Sequence, residues 1–374
     1  MRECTGNCGT CGGCLSRVEI VTTQETGIVT AQPTLFLDIG TTTVAGLFVY
    51  GDRSESIAFL NPQRSFGADV ITRIQAAMEK KAKKMQSLIQ EAVFSKVEEL
   101  RGELDFSFCK VYVSANTTMQ HLWEGLSCEG LGSAPYRPVD ISAHCYELIR
   151  RGITYEIHML PGISAFVGAD VVSGIVKLNM QETEEINLLI DLGTNGEMAL
   201  GNRNKLLVTS TAAGPAFESN PLALTLHASG IIELLSRMKD EKIVDGYGTL
   251  CDTYFETGYE GMTQDLIRRL QMAKAAICAG MELLVKHYGI SYEDVAHVYL
   301  AGGMGKFIDP AKACNIGLIP QELVDKVVAV GNTSLSGAIA YAMEEDVRLP
   351  DDTKELLLAE LDEFQDLYIE RMNL

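Results

Sequence analysis

The chain has 374 residues, of which 47% are hydrophobic and 22% charged. That composition excludes a disordered chain and is enough for two or more packed domains. Lys and Arg total 31 against 50 Asp and Glu, a net charge of −19, and such a field argues against nucleic acid and anionic membrane as partners.

No apolar run is long enough to cross a bilayer, and Met1-Arg2-Glu3-Cys4 lacks the regions of a signal peptide, so the chain reads as soluble and cytoplasmic. Four of the ten cysteines, Cys4, Cys8, Cys11 and Cys14, fall within the first fourteen residues. In a reducing cytosol such a cluster points to metal. The segment between Cys4 and Cys14 contains only Cys, Gly, Thr and Asn. It cannot build a helix or a core, and reads as a loop that needs something to fold around. Cys109, Cys128, Cys145, Cys251, Cys278 and Cys314 are isolated and read as small core residues.

Val18–Thr23 and Thr34–Asp38 read as strands, the second a buried apolar run ending in an acid and followed by a turn of Gly40 and three threonines. From Val70 to Leu100 apolar residues recur at helical spacing, which predicts one or two amphipathic helices. The basic run Lys80–Lys84 inside it reads as a solvated face. Cys109–Ala115 is a further strand and Gly168–Leu178 a helix. Ile186–Asp191 then repeats the earlier event. Leu35-Phe-Leu-Asp38-Ile-Gly40-Thr41-Thr42 and Leu188-Leu-Ile-Asp191-Leu-Gly193-Thr194-Asn195 lie 153 residues apart, a domain-sized offset that suggests duplication of an α/β unit. Thr263–His287 reads as a long core helix stopped by Gly289. Val298–Ala301 is a short strand entering a glycine turn, and Thr333–Met343 a helix of small residues. The acidic tail carries Leu357, Leu361, Phe364 and Tyr368, which can dock one apolar face on the body.

A strand ending in Asp-x-Gly-Thr places backbone N–H groups and hydroxyls in a tight turn beside one carboxylate. Such a turn can grip phosphate oxygens while the acid holds hydrated Mg²⁺. Two copies a domain apart, with a third glycine turn at Gly302-Gly303, make phosphate clamping the strongest chemical reading of this chain. Asn116, Gln63 and Asp69 are equally suited to shaping the site or to building turns. Glu197 can position a hydrolytic water or face solvent. No histidine shows metal spacing, and His121 and His287 read as structural.

The order of these elements resembles the actin, sugar-kinase and heat-shock-chaperone ATPases. Asp38–Gly46 is similar to their first phosphate loop, Asp191–Met198 to the second and Ala301–Lys306 to the adenosine motif. Phe166–Leu178 and Gly331–Met343 are similar to the connecting helices. The resemblance implies an α/β fold: two ribonuclease-H-like domains of the actin-like ATPase fold around a nucleotide cleft, here with a short N-terminal Cys-rich metal-binding loop. The expected division is residues 1–30 for the Cys-rich segment, 31–185 and 186–345 for the two ATPase domains, and 346–374 for an acidic helical tail. Asp38 and Asp191 would hold Mg²⁺. Gly40, Thr41, Thr42, Thr43, Gly193, Thr194 and Asn195 would hold the phosphates of ATP, and Gly302 and Gly303 would pack against adenosine. Asp38, Asp191 and Glu197 are the candidate catalytic residues.

Local strings narrow the resemblance. Asn61-Pro-Gln-Arg-Ser-Phe-Gly-Ala-Asp69-Val-Ile-Thr-Arg73, Ser114-Ala-Asn116-Thr-Thr-Met119, Phe166-Val-Gly-Ala-Asp170, Leu192-Gly-Thr-Asn-Gly-Glu197, Ala212-Ala-Gly-Pro-Ala-Phe-Glu218 and Val330-Gly-Asn332 resemble the reductive activators of corrinoid iron-sulfur proteins and corrinoid-dependent methyltransferases. So does the C-terminal Asp362–Asn373. The resemblance implies ATP-assisted return of cob(II)alamin to cob(I)alamin on a corrinoid protein or methyltransferase, fed by a low-potential donor such as ferredoxin. Domain closure over ATP is the bistable element available to such a mechanism.

Those activators carry a ferredoxin-like [2Fe–2S] domain and a middle domain ahead of the ATPase, and the first thirty residues here are too few for either. The cysteine spacing Cys4-x₃-Cys8-x₂-Cys11-x₂-Cys14 favours a [4Fe–4S] cluster, with zinc as the runner-up. A cluster shared across a homodimer, as in the related activators of 2-hydroxyacyl-CoA dehydratases, stays open. So do that dehydratase as client and a zinc-containing ATPase or kinase without a redox role.

Overall fold

In the structure, a computed structural model, residues 28–213, 228–251, 262–302, 308–344 and 347–374 are described. The four clustered cysteines, the strand expected over Val18–Thr23 and Gly303 lie outside these residues.

The run Thr34–Asp38 sits in strand β1 (Thr30–Ile39). Leu35, Phe36, Leu37 and Ile39 are at most 1% exposed, because the strand has a neighbour on each side and protein on both faces. Strands β2 (Thr43–Gly51) and β3 (Arg53–Leu60) follow as an antiparallel meander. The helical stretch is two helices, α1 (Val70–Ala76) and α2 (Ala82–Leu104), separated where Lys80 takes a φ of 66°. Lys80, Lys81, Lys83 and Lys84 are exposed, as a solvated face requires. Next come β4 (Phe108–Ala115), α3 (Thr117–Glu124), the hairpin β5 (His144–Arg150) and β6 (Ile153–Met159), and α4 (Ala169–Lys177).

The pattern then restarts with β7 (Asn187–Leu192), β8 (Gly196–Asn202) and β9 (Lys205–Thr211). They are followed by α5 (Ala228–Asp240) and by α6 (Gln264–Tyr288), which Gly289 ends in a left-handed conformation. Strand β10 (His297–Ala301), α7 (Pro310–Asn315), β11 (Val327–Gly331), α8 (Thr333–Met343), β12 (Thr353–Glu355) and α9 (Asp362–Glu370) complete the described chain. None of the helices among the described residues is long and apolar enough to cross a membrane.

Two six-stranded sheets result, in the orders β3-β2-β1-β4-β6-β5 and β11-β10-β7-β8-β9-β12. The block β3-β2-β1-β4 reappears as β9-β8-β7-β10, a meander whose first strand pairs in parallel with the strand that follows the helices. The repeat visible in the sequence is thus also a repeat of topology.

The chain divides into two compact units, the first reaching to Leu178 and including Asn332–Val347, the second comprising Asn179–Gly331 and Arg348–Leu374. The division expected from the sequence put Thr333–Met343 in the second domain. This helix, α8, instead packs with the first unit, and small residues explain the fit. A Cβ on Gly337 would lie 1.9 Å from the Ser173 carbonyl oxygen of α4, so the two helices approach as only glycine allows. Leu335 and Ile339 bury against Phe36, Ala45 and Leu47 of the sheet.

The tail belongs to the second unit and is only partly helical: β12 adds a parallel strand to β9, and α9 lies against α6. His287 is a surface partner of Glu363 at 2.7 Å, and Arg371 pairs with Glu282 at 2.7 Å. Under the tail Lys274 is 1% exposed and donates to the Asn373 carbonyl. Burial pulls its ammonium down to about 8. A lysine whose folded pKa lies below its unfolded value costs stability in full below pH 8, and the cost fades as pH rises toward the unfolded value. Lys274→Met is therefore expected to be about 2 kcal/mol more stable than the parent at pH 7, with the difference shrinking between pH 8 and 10 in urea titrations. A gain independent of pH would show that packing alone is responsible.

Candidate functional site

Both Asp-x-Gly-Thr turns join the first two strands of their sheets. In the first unit Asp38 lies near the end of β1 and the chain reverses through Gly40 to enter β2 at Thr43. A Cβ at Gly40 would stand 2.9 Å from the Thr43 carbonyl oxygen, which is why the turn takes glycine. Donors from three separate segments engage the turn, two at its carbonyls and one at a hydroxyl. Asn61 donates its side-chain amide to Gly40 O (2.8 Å) and its backbone N–H to Thr42 O (3.0 Å). Arg73 Nη2 donates to Thr41 O and Arg73 Nε to Gly67 O (3.0 Å), while Asn116 Nδ2 donates to Thr41 Oγ1 (3.2 Å). Arg73 is 0% exposed, and burial together with neighbouring Arg64 pulls its guanidinium down to about 10.

The Asp38 carboxylate is held on both oxygens. Asn332 Nδ2 donates to Oδ2 and Ser334 Oγ to Oδ1, each at 2.8 Å. Asn332 also caps α8, accepting from Leu335 N at 2.8 Å. Behind Ser334 a hydroxyl series continues to Ser114 and then Ser173, each step 2.9 Å. Burial pushes the Asp38 carboxyl upward against these hydrogen bonds. Asp170, in the first turn of α4, accepts from Val171 N at 2.9 Å. Burial, reinforced by the nearby Asp38 charge, pushes its carboxyl up to about 7.

In the second unit Asp191 of β7 stands directly opposite Glu197 of β8 in the antiparallel register, so both side chains project from one face. Glu197 is 8% exposed and accepts from Ser210 Oγ at 3.5 Å. The turn between them is closed by Gly193 N donating to Asn195 O at 3.0 Å, and Thr194 is buried. Gly302, with φ of 87°, packs on Asp191 itself: a Cβ there would lie 2.7 Å from Asp191 Oδ1 and 2.7 Å from Leu192 O.

Each unit therefore gathers its own carboxylate, glycine turn and hydroxyls. Asp38 and Gly40–Thr43 sit together in the first, while Asp191, Gly193–Asn195, Glu197 and Gly302 sit together in the second. Asp69 and Asn116 are helix caps, on α1 and α3, and Gln63 is a buried brace donating to Met85 O at 3.1 Å. His121 is buried and fully used, with Nδ1 2.8 Å from Thr117 O and Nε2 accepting from Val139 N at 3.0 Å. The sequence reading quoted Arg73, Asp170 and Asn332 without giving them roles. Ser114 too stands in a quoted string without a role, and Ser334 lies in the small-residue helix without being singled out.

Comparison with known proteins places the chain in one family. The pattern described as the C-terminal domain of RACo, the ASKHA domain, matches residues 185–230 and 223–374. The RACo middle region matches residues 34–183, so the middle part, sought in vain among the first thirty residues, lies in the stretch expected to be the first ATPase domain. The corrinoid activation enzyme RamQ of Eubacterium limosum is 28% identical over 83% of this chain and 64% of its own length. A [Co(II) methylated amine-specific corrinoid protein] reductase of Methanosarcina barkeri is 25% identical over 52% of this chain and 46% of its own. The chain thus spans under two-thirds of these curated relatives. The solved structure of a reductive activator for corrinoid, iron-sulfur protein superposes with a TM-score of 0.79 at 26% identity, covering 92% of this chain and 67% of that one. With its middle region and its ASKHA domain both matched in order, the chain belongs to the RACo family.

Proposed function

We propose that this protein is an ATP-dependent reductive activator that returns the Co(II) corrinoid of a partner protein or methyltransferase to Co(I). The observation that carries this reading is the doubled strand–Asp–Gly–Thr turn, one copy in each of two sheets of matching strand order, in a chain of this family. The names of the relatives support the client, since one activates a corrinoid system and the other reduces a Co(II) corrinoid protein.

The donor sets fit the groups this function needs. Asp191 and Glu197 face each other in register, and their hard oxygens suit hydrated Mg²⁺. In the first unit Asp38 would hold Mg²⁺ through water. The turns Gly40–Thr43 and Gly193–Asn195 would bind phosphates through N–H and hydroxyl donors, because the carbonyls of Gly40, Thr41 and Thr42 are already engaged within the protein. Gly302 and Gly303 would flank adenosine. Glu197 would orient the hydrolytic water, and the Asp170 carboxyl, near neutrality, can hold a proton beside Asp38.

Bound Mg–ATP supplies the free energy of phosphoryl release. A one-electron step uphill by about 200 mV needs roughly 5 kcal/mol. The electron would enter through a [4Fe–4S] cluster on Cys4, Cys8, Cys11 and Cys14, whose four thiolates within eleven residues suit such a cluster. It would come from a low-potential donor such as ferredoxin and end on cobalt.

The test is ATP-dependent formation of Co(I) on a corrinoid protein, followed by absorbance with an excess of reductant. Asp191→Ala is expected to lose the ATP-dependent rate by about a hundredfold while keeping its circular dichroism. Unchanged ATP-dependent reduction in that variant would overturn the site assignment. Transfer of γ-phosphate to a metabolite would overturn the function.

A further inference from the structure

Strands β5 and β6 form an antiparallel hairpin in which Cys145 stands opposite His158, and Glu156 lies two residues along from His158 on the same face. The alternate residues Tyr155 and Ile157 are 0% exposed in the first unit's core, so Cys145, Glu156 and His158 are on the outward face. The sequence reading took Cys145 for a core residue, but it is exposed, and Glu156 and His158 are half-buried. One donor atom from each of the three lies within 4.8 Å of the others.

We propose that Cys145, Glu156 and His158 form a binding site for a divalent transition-metal ion of the Zn²⁺ class, with one coordination position open to the outside. Cys145 Sγ is 3.9 Å from His158 Nε2, and the same nitrogen is 2.7 Å from Glu156 Oε1. Around a tetrahedral ion with Zn–S near 2.3 Å and Zn–N and Zn–O near 2.1 Å, those separations are about 3.6 and 3.4 Å. The exposed Cys145 thiol has only to close slightly and the half-buried Glu156 carboxylate to swing back. The imidazole is already fixed: its ring stacks on Tyr112 at 4.5 Å and 12°, and Tyr112 stacks on Phe36 at 5.6 Å.

Charge favours the ion too. The Glu156 carboxylate brings negative charge to the cluster, and the Cys145 thiol gives up its proton as the metal binds. Lys110 Nζ, 3.4 Å from Glu156 Oε1, supplies a weak substitute cation and is exposed enough to move aside. Thiolate, imidazole and carboxylate together suit Zn²⁺ or Co²⁺ rather than Mg²⁺ or Ca²⁺. The site shares no residue with the Asp38 and Asp191 turns and does not depend on the function proposed for them.

Anaerobic Co²⁺ titration of the full chain tests the proposal, with Cys4, Cys8, Cys11 and Cys14 replaced by serine so that no other thiolate cluster reports. One equivalent of Co²⁺ should bind with a near-ultraviolet thiolate-to-cobalt band, and Zn²⁺ should displace it. Cys145→Ser should abolish the band. His158→Ala and Glu156→Gln should each weaken binding by at least about tenfold. In the chain with its N-terminal cysteines intact, Cys145→Ser should lower the Zn²⁺ stoichiometry by one. An unchanged band or stoichiometry in Cys145→Ser, or affinity unmoved by both other variants, would overturn the site.

Discussion

Arg73→Ala is expected to destabilise the first unit by about 3 kcal/mol and to lower ATP turnover roughly a hundredfold, although the side chain is fully buried. The substitution leaves a cavity and strips donors from Thr41 O and Gly67 O, each a loss of about 1–3 kcal/mol when a buried carbonyl goes unpaired. Part of this is offset because a desolvated cation is also removed. The functional loss follows from geometry: Arg73 fixes the middle carbonyl of the Gly40–Thr43 turn, and a turn that is free to rotate no longer aims its N–H groups in one direction. Arg73→Lys should rescue little, since a single ammonium cannot replace a fork that reaches two carbonyls. Urea midpoints and steady-state ATPase rates check both halves. A variant with parental midpoint and turnover would show that Asn61 alone shapes the turn.

Asp170→Asn should raise stability at pH 8 by about 2–4 kcal/mol and leave it nearly unchanged at pH 4, while removing most ATP hydrolysis. The sign follows from the direction of the shift. The folded state holds the Asp170 proton up to about pH 7, whereas the unfolded chain releases it near pH 4. The folded state therefore binds more protons in that interval, and stability falls as pH rises through it. Asparagine carries no charge to desolvate and keeps an acceptor for Val171 N. Measurements in EDTA are the informative ones, because a divalent ion between Asp38 and Asp170 would remove the same penalty. Equal midpoints for parent and variant at pH 8 would show that the pair is already neutralised. A gain of activity together with stability would remove Asp170 from the reaction.

The parts of this fold written in short stretches were legible in the sequence. An apolar run, an acid, a glycine and threonines specify a strand and its turn within about a dozen residues, and both copies are found, each followed by an antiparallel strand. The long helix α6 and its glycine stop were equally local. What was not legible depends on pairings across the chain. Asp38 is held by Asn332 from 294 residues away, and the turn carbonyl of Thr41 by Arg73 from 32 residues away. Neither pairing leaves a trace in periodicity or spacing. Assignment of α8 failed for a related reason, since its partner surface is set by Gly337 meeting Ser173 and not by its neighbours in sequence. Cys145 and His158 looked isolated because thirteen residues separate them, and only the hairpin register makes them a pair.

The three serines behind Asp38 have a fixed polarity. Ser334 spends its single proton on Asp38, so in its contact with Ser114 it must accept, and Ser114 must in turn accept from Ser173. All three O–H vectors therefore run one way, from α4 through β4 and α8 to the carboxylate, and their aligned dipoles reinforce one another. The ionisation of one aspartate is thereby recorded as the orientation of hydroxyls on a strand and two helices, and a proton arriving at Asp38 would free the whole row to reverse.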